Sequence, residues 1–152
     1  AMGKLVLWSA KPGVVDAKGQ VLQGDGFKHL AIANPRLAPY GQAGVQTLQS
    51  LGRYEALAPK LVQGENIAQT FQFVSTGNAD LGFVALSQVL NEEGKPKDGS
   101  MWLPPASAYE SIRQDAVLLA KGKDQAAAIA LLAYLRSPEA RARIAAAGYN
   151  LP

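Results

Sequence analysis

The sequence predicts an α/β fold, a mixed sheet layered by helices, from three observations. Short apolar runs of strand length recur at residues 4–9, 29–34 and 81–86. The segments between them carry apolar residues at helical spacing. The chain then closes on two stretches with helix-start signals and no strand pattern. With 152 residues, 48% of them hydrophobic, it can bury a core of its own and is long enough for one domain of ordinary size.

Each element follows from a local pattern. Leu5, Val6, Leu7 and Trp8 run without a polar break and stop before Pro12-Gly13, which suits a buried strand. Residues 16–27 are rich in glycine and polar groups and read as a loop. Residues 29–34 form a second strand, stopped by Pro35. Residues 40–51 place Val45, Leu48 and Leu51 near helical spacing, with Gly52 as the C-terminal cap. A short helix at residues 54–57 ends before Pro59, and Leu61-Val62 makes a brief strand. Asn66 is a good N-cap; Ile67, Phe71 and Val74 follow at i, i+4 and i+7 until Gly77-Asn78 stops the pattern.

Residues 81–86 then read as a buried strand and residues 91–100 as a polar surface loop, followed by Trp102-Leu103 bounded by Pro104-Pro105. Residues 116–120 are a further strand candidate. Asp124 caps a helix running to Leu135, and Ser137-Pro138-Glu139 begins another that ends near Gly148. That second start combines a serine N-cap, a proline at the first helical position and an acid in the first turn.

Composition removes several function classes. The net charge is +3, but lysines and arginines are scattered, so the basic balance reads as a solvated surface and not as a nucleic-acid footprint. The absence of cysteine excludes thiol catalysis and thiolate metal sites. No stretch approaches the roughly 20 apolar residues of a membrane helix, and Ala1-Met2-Gly3 has neither the charged nor the apolar region of a signal peptide. His29 is the only histidine, which rules out a multi-histidine metal site. Ser9, Ser75, Ser87 and Ser107 lack the Gly-x-Ser-x-Gly setting of an exposed nucleophile. Glu92, Glu93 and Asp98 share one polar loop, and the adjacent glutamates diverge. The glycines of residues 19–26 suggest a phosphate loop, but the required Lys and Ser/Thr are missing. No nucleophile, base and oxyanion hole assemble; the expectation is a binding protein without cofactor, direct metal ligand or enzymatic activity.

Two helix starts carry the binding argument, Ala38-Pro39-Tyr40-Gly41 and Gly64-Glu65-Asn66-Ile67. A helix N-terminus has unpaired backbone N–H groups and a positive dipole end, so two that converge can hold an oxyanion without a charged side chain. Tyr40 and Ile67 both fall in a first turn. Together with Asn34-Pro35, Leu48-Gln49-Ser50-Leu51-Gly52, the run from Gly77 to Val84 and Ser137-Pro138-Glu139-Ala140-Arg141 with Gly148-Tyr149, these segments resemble, in order, the periplasmic molybdate-binding proteins of ABC importers.

The resemblance implies a type II periplasmic-binding-protein-like lobe with a C-terminal helical return segment. Residues 1–115 would form the second, ligand-binding lobe with its first hinge strand, and residues 116–152 a second hinge strand and helices returning toward a first lobe. Its ligand would be molybdate or tungstate, its partner the membrane permease of the importer, and its location the periplasm. The ligand-binding residues it implies are Tyr40, Ile67, Pro39, Gly41, Asn66 and Ala85. Ala85 stands where some members place a tyrosine that reaches the anion, and Tyr40 stands where those members have a small residue. The first lobe's hydroxyl-bearing loops have no counterpart here, so the chain is expected to carry part of the site and to bind weakly. An apolar face around Ile129, Leu132, Leu135 and Ile144 would then favour a homodimer. Binding of sulfate or a small organic anion, an effector-binding domain of a regulator, and an enzyme lobe like that of porphobilinogen deaminase are the competing expectations.

Overall fold

The computed structural model describes residues 1–151. Five strands form the main sheet in the order β4-β3-β5-β2-β6, where β2 is Leu5–Ser9, β3 Leu30–Ala33, β4 Leu61–Gly64, β5 Leu81–Ala85 and β6 Ser100–Trp102. β3 pairs in parallel with both β4 and β5, whereas β2 runs antiparallel to β5 and β6, so the sheet is mixed as expected. A separate two-stranded ribbon joins β1, Met2–Gly3, to β7, Ile112–Arg113.

Every residue of β2, β3 and β5 is buried, because helices cover both faces. Alternation divides the core: Leu5, Leu7, Leu30, Ile32, Leu81 and Phe83 face helix α1, Pro39–Ser50, through Tyr40, Ala43 and Leu48. Val6, Trp8, Ala31 and Val84 face helix α3, Ile67–Ser75, through Val74 and the flanking Phe71, whose ring stacks on Trp8 at 5.2 Å. The short helix α2, Tyr54–Leu57, links α1 to β4. Gly52, at φ 65°, ends α1: its N–H donates to the Gln49 carbonyl at 2.9 Å and that of Arg53 to the Leu48 carbonyl at 2.8 Å, the paired bonds of a glycine-terminated helix.

Several boundaries differ from the sequence expectation for physical reasons. Residues 116–120 are not a strand: among the described residues they have no ladder partner, Val117 and Leu119 are 79% and 70% exposed, and Ala120–Gly122 is a single 3₁₀ turn. The segment that returns alongside the N-terminus is instead β7. Asp124 is not the helix cap either; α5 is Ala126–Tyr134 with Gln125 at the cap position, and the Asp124 carboxylate lies 3.9 Å from the Lys123 ammonium. The strand expected over residues 81–86 turns at Ala85 into a short helix, α4, Leu86–Val89. Within residues 16–27, Gln20–Gln23 forms a 3₁₀ turn held by the Asp16 carboxylate, which accepts from the N–H groups of Lys18, Gln20 and Val21. The last helix, α6, Pro138–Ala146, is as expected, with the Ser137 hydroxyl accepting from Ala140 N–H at 3.2 Å. α5 buries none of its residues, leaving Ile129, Leu131, Tyr134 and Leu135 exposed.

Asp80 ties the opposite end of the sheet together. Its carboxylate accepts from Lys28 N–H (2.8 Å) and His29 N–H (3.0 Å), and the Ser9 hydroxyl donates to its carbonyl at 2.6 Å. The bond from His29 N–H, followed by that from Lys28, holds the carboxyl below its ordinary 3.8 despite an opposing desolvation. A depressed native pKa means that the contribution is present above the unfolded value and is lost as pH falls through the native one. Asp80→Asn should therefore lower the urea midpoint at neutral pH, and the gap to wild type should shrink near pH 3. A gap independent of pH would contradict the assignment.

Candidate functional site

The site is positioned by register. β3 and β4 run parallel with Ala33 opposite Gly64, and β5 runs parallel beside β3, so the C-terminal ends of all three lie along one edge. The chain leaves β3 for α1 on one face and β4 for α3 on the other. Adjacent parallel strands whose helices depart to opposite faces open a crevice at their carboxyl ends, the usual ligand position in open α/β sheets. Asn34 N–H donates to the Gly64 carbonyl at 2.7 Å, joining the two exits.

At the α1 start, the Asn34 carbonyl accepts from Leu37 and Ala38 N–H, and its side chain accepts from Arg36 N–H at 3.0 Å, which folds the loop into a tight turn. Ala38 has no side-chain cap to offer, and Pro39 at the first helical position has no N–H. The N–H groups of Gly41 and Gln42 donate to the Ala38 carbonyl at 2.9 and 3.1 Å. Tyr40 N–H is left with no acceptor among the described residues. Gly41 is required sterically, since a Cβ there would run into the Ala33 carbonyl.

At the α3 start, the Asn66 side chain accepts from Gln69 N–H at 2.9 Å while the Gln69 side chain accepts from Glu65 N–H at 2.7 Å. Ile67 and Ala68 N–H have no acceptor among the described residues. The two starts carry no acid in their first turns, so neither dipole end is compensated by a side chain there. Ala85, buried at the end of β5, gives its N–H to the Gln88 side chain at 3.0 Å, and the same amide donates to the Ile67 carbonyl at 3.2 Å. Gln88 thereby fixes β5 against the first turn of α3.

Pro39, Tyr40, Gly41, Asn66, Ile67 and Ala85 are thus gathered at one sheet edge. The Tyr40 phenol is buried and turned toward the β1–β7 ribbon, where it accepts from the Gln114 side chain at 3.2 Å. Burial first, then the nearby Tyr149 hydroxyl, pushes this phenol above its ordinary value of 10, so it is neutral at physiological pH. Sequence reasoning missed Asn34, Gln69 and Gln88. The Asn34-Pro35 pair was a readable turn signal; the two glutamines carried none. Glu92, Glu93 and Asp98 are exposed in their loop, and among the described residues no cluster of three or more acids or histidines could hold a metal.

Fold and edge together define an α/β sheet with unpaired backbone donors at its mouth. The chain belongs to the bacterial extracellular solute-binding protein family, whose model matches residues 1–150. It is 61% identical over 151 residues to the molybdate-binding protein ModA of Azotobacter vinelandii and 53% identical over 149 residues to that of Rhodobacter capsulatus. These alignments cover 99% and 98% of this chain but 60% and 57% of those proteins, so the chain spans well under two thirds of their length. The solved periplasmic molybdate-binding protein of Azotobacter vinelandii superposes with a TM-score of 0.95 at 47% identity, over 100% of this chain and 66% of that one.

The close fit of Gly41 gives a prediction of sign. In an ordinary exposed helix Gly→Ala stabilises by about 1 kcal/mol. Here Gly41→Ala should instead lower the urea midpoint, because the new methyl displaces α1 from the Ala33 carbonyl. A raised midpoint would show that α1 does not sit this close.

Proposed function

We propose that this chain forms one lobe of the solute-binding component of a molybdate or tungstate ABC importer, and that Tyr40 and Ile67 donate their backbone N–H groups to the bound oxyanion. The observation that carries the reading is the pair of unpartnered first-turn donors at one sheet edge, with no acid in either turn. The identity to molybdate-binding relatives supports the same ligand.

Each residue then has a defined task. Pro39 fixes the backbone of the first turn while leaving Tyr40 N–H as its outward donor, and Gly41 lets that turn sit against the strand end. Asn66 uses its side chain on Gln69, so that Ile67 N–H stays free for ligand. Ala85 contributes an apolar wall and no hydroxyl. Neutral, prearranged amides suit a dianion that must be released again, since they stabilise charge without forming a salt bridge. The protein acts as a periplasmic carrier without turnover or cofactor, delivering its cargo to a membrane permease.

A tetrahedral oxyanion has four oxygens to satisfy, and these two N–H groups reach only part of them. A desolvated charged acceptor left short of donors costs several kcal/mol. The remaining donors would come from the part of the relatives' length that has no counterpart in these residues, so binding by this chain alone is weak. Titration of the isotope-labelled chain with sodium molybdate, followed by amide resonances, should move Tyr40 and Ile67, with half-saturation far above micromolar. Submicromolar calorimetric affinity would contradict the donor count. Stationary resonances at both positions would contradict the site, and a stronger response to sulfate would reassign the ligand.

A further inference from the structure

Tyr40 occupies two environments at once. Its N–H lies at the sheet edge, whereas its side chain is 8% exposed and reaches the place where the chain's outer segments meet. Its hydroxyl accepts from Gln114 Nε2 at 3.2 Å, and Gln114, immediately after β7, exchanges backbone bonds with Ala1 in both directions at 2.9 Å. Gly3 of β1 makes the room: a Cβ there would overlap the Tyr40 hydroxyl and stand 3.2 Å from Gln114 Nε2. The C-terminal segment closes the arrangement from the other side. Met2 and Asn150 exchange backbone bonds at 2.7 and 2.9 Å. The neighbouring Tyr149 hydroxyl lies 3.2 Å from Ser87 Oγ, on α4, which starts directly after Ala85.

We propose that Tyr40 is a positioning residue that couples the anion-facing first turn of α1 to the ribbon formed by Met2–Gly3, Ile112–Arg113 and Asn150. This rests on the oxyanion reading above and deepens it. The first turn and the ribbon are held through one rigid aromatic side chain, so a ligand that orders the Tyr40 amide also restrains its phenol, and the phenol restrains Gln114 and β1. Ile67, the other donor, packs its side chain against the main core and reaches the C-terminal segment only indirectly, through its carbonyl to Gln88 and from the adjacent Ser87 to Tyr149. By reciprocity, whatever fixes the ribbon also favours the ligand-competent first turn. Two segments that cross at this ribbon thereby gain a direct mechanical link to the ligand.

The test is amide hydrogen exchange on the whole chain, wild type and Tyr40→Phe, with and without millimolar sodium molybdate, alongside the amide resonance shifts. The substitution keeps the ring and the backbone donor and removes only the hydroxyl. In wild type and in Gln114→Leu, whose position lies outside the anion-facing turns, the Tyr40 and Ile67 resonances should move with molybdate. In wild type the anion should slow exchange at Met2 and Asn150 by about fivefold or more, the low end of couplings between separate sites; in Tyr40→Phe that slowing should be lost. Gln114→Leu, which removes the hydroxyl's donor at an exposed position, should also lose it and serves if Tyr40→Phe does not fold. A purely structural hydroxyl would change basal exchange but leave the molybdate-dependent slowing intact, and that result overturns the coupling while the anion site stands. Resonances that stay still at both positions in wild type overturn the anion site, and the coupling with it.

Discussion

The structure depends on the parallel pairing of β3 with β4. In that register Ala33 lies opposite Gly64, and the Asn34 N–H bond to the Gly64 carbonyl holds the two strand exits together. A shift of one residue would turn every buried side chain of β3 to the other face, so the core and the edge are set by the same constraint. Leu30 and Ile32 on one face and Ala31 on the other must each meet their own helix. Once they do, the starts of α1 and α3 have no freedom to be elsewhere.

The edge is built by spending polar groups selectively. Capping by Asn66 and Gln69 and the turn around Asn34 satisfy most of the backbone near the two starts. What is left over is a small set of N–H groups at Tyr40, Ile67 and Ala68. The opposite end of the sheet is treated differently: Asp80 supplies a charged acceptor to two N–H groups and leaves that end self-satisfied. One end of the sheet is therefore tied by a carboxylate, and the other keeps unpaired backbone N–H groups. Glu65 stands just outside the first turn of α3 and is exposed, so the open end keeps its positive character without acidic competition inside the turn.

The parts of this design that are local were legible in the residues. Asn66 and Ser137 announce helix starts through their own side chains, and Leu5–Ser9 and Leu81–Ala85 announce burial through unbroken apolar runs. The family resemblance, carried by several short segments in order, agrees with the family that matches residues 1–150. The apolar residues 116–120 mislead for the converse reason: a strand needs a ladder partner, and among the described residues they pair with none. Asp124 against Gln125 is a shift of one residue that cap propensity alone could not decide. Gln88 was illegible because its role comes from β5 and α3 meeting in space, as did the destination of the Tyr40 phenol.

In the proposed complex the oxyanion sits against backbone amides at the joined strand exits and not against surface lysines or arginines. Tungstate tests it most directly, since a tungsten atom can be located by anomalous scattering in a crystal of the chain soaked in it. The account predicts a peak within hydrogen-bonding reach, through its oxygens, of Tyr40 N–H and Ile67 N–H. A peak found only beside basic side chains, with that edge vacant, would contradict it.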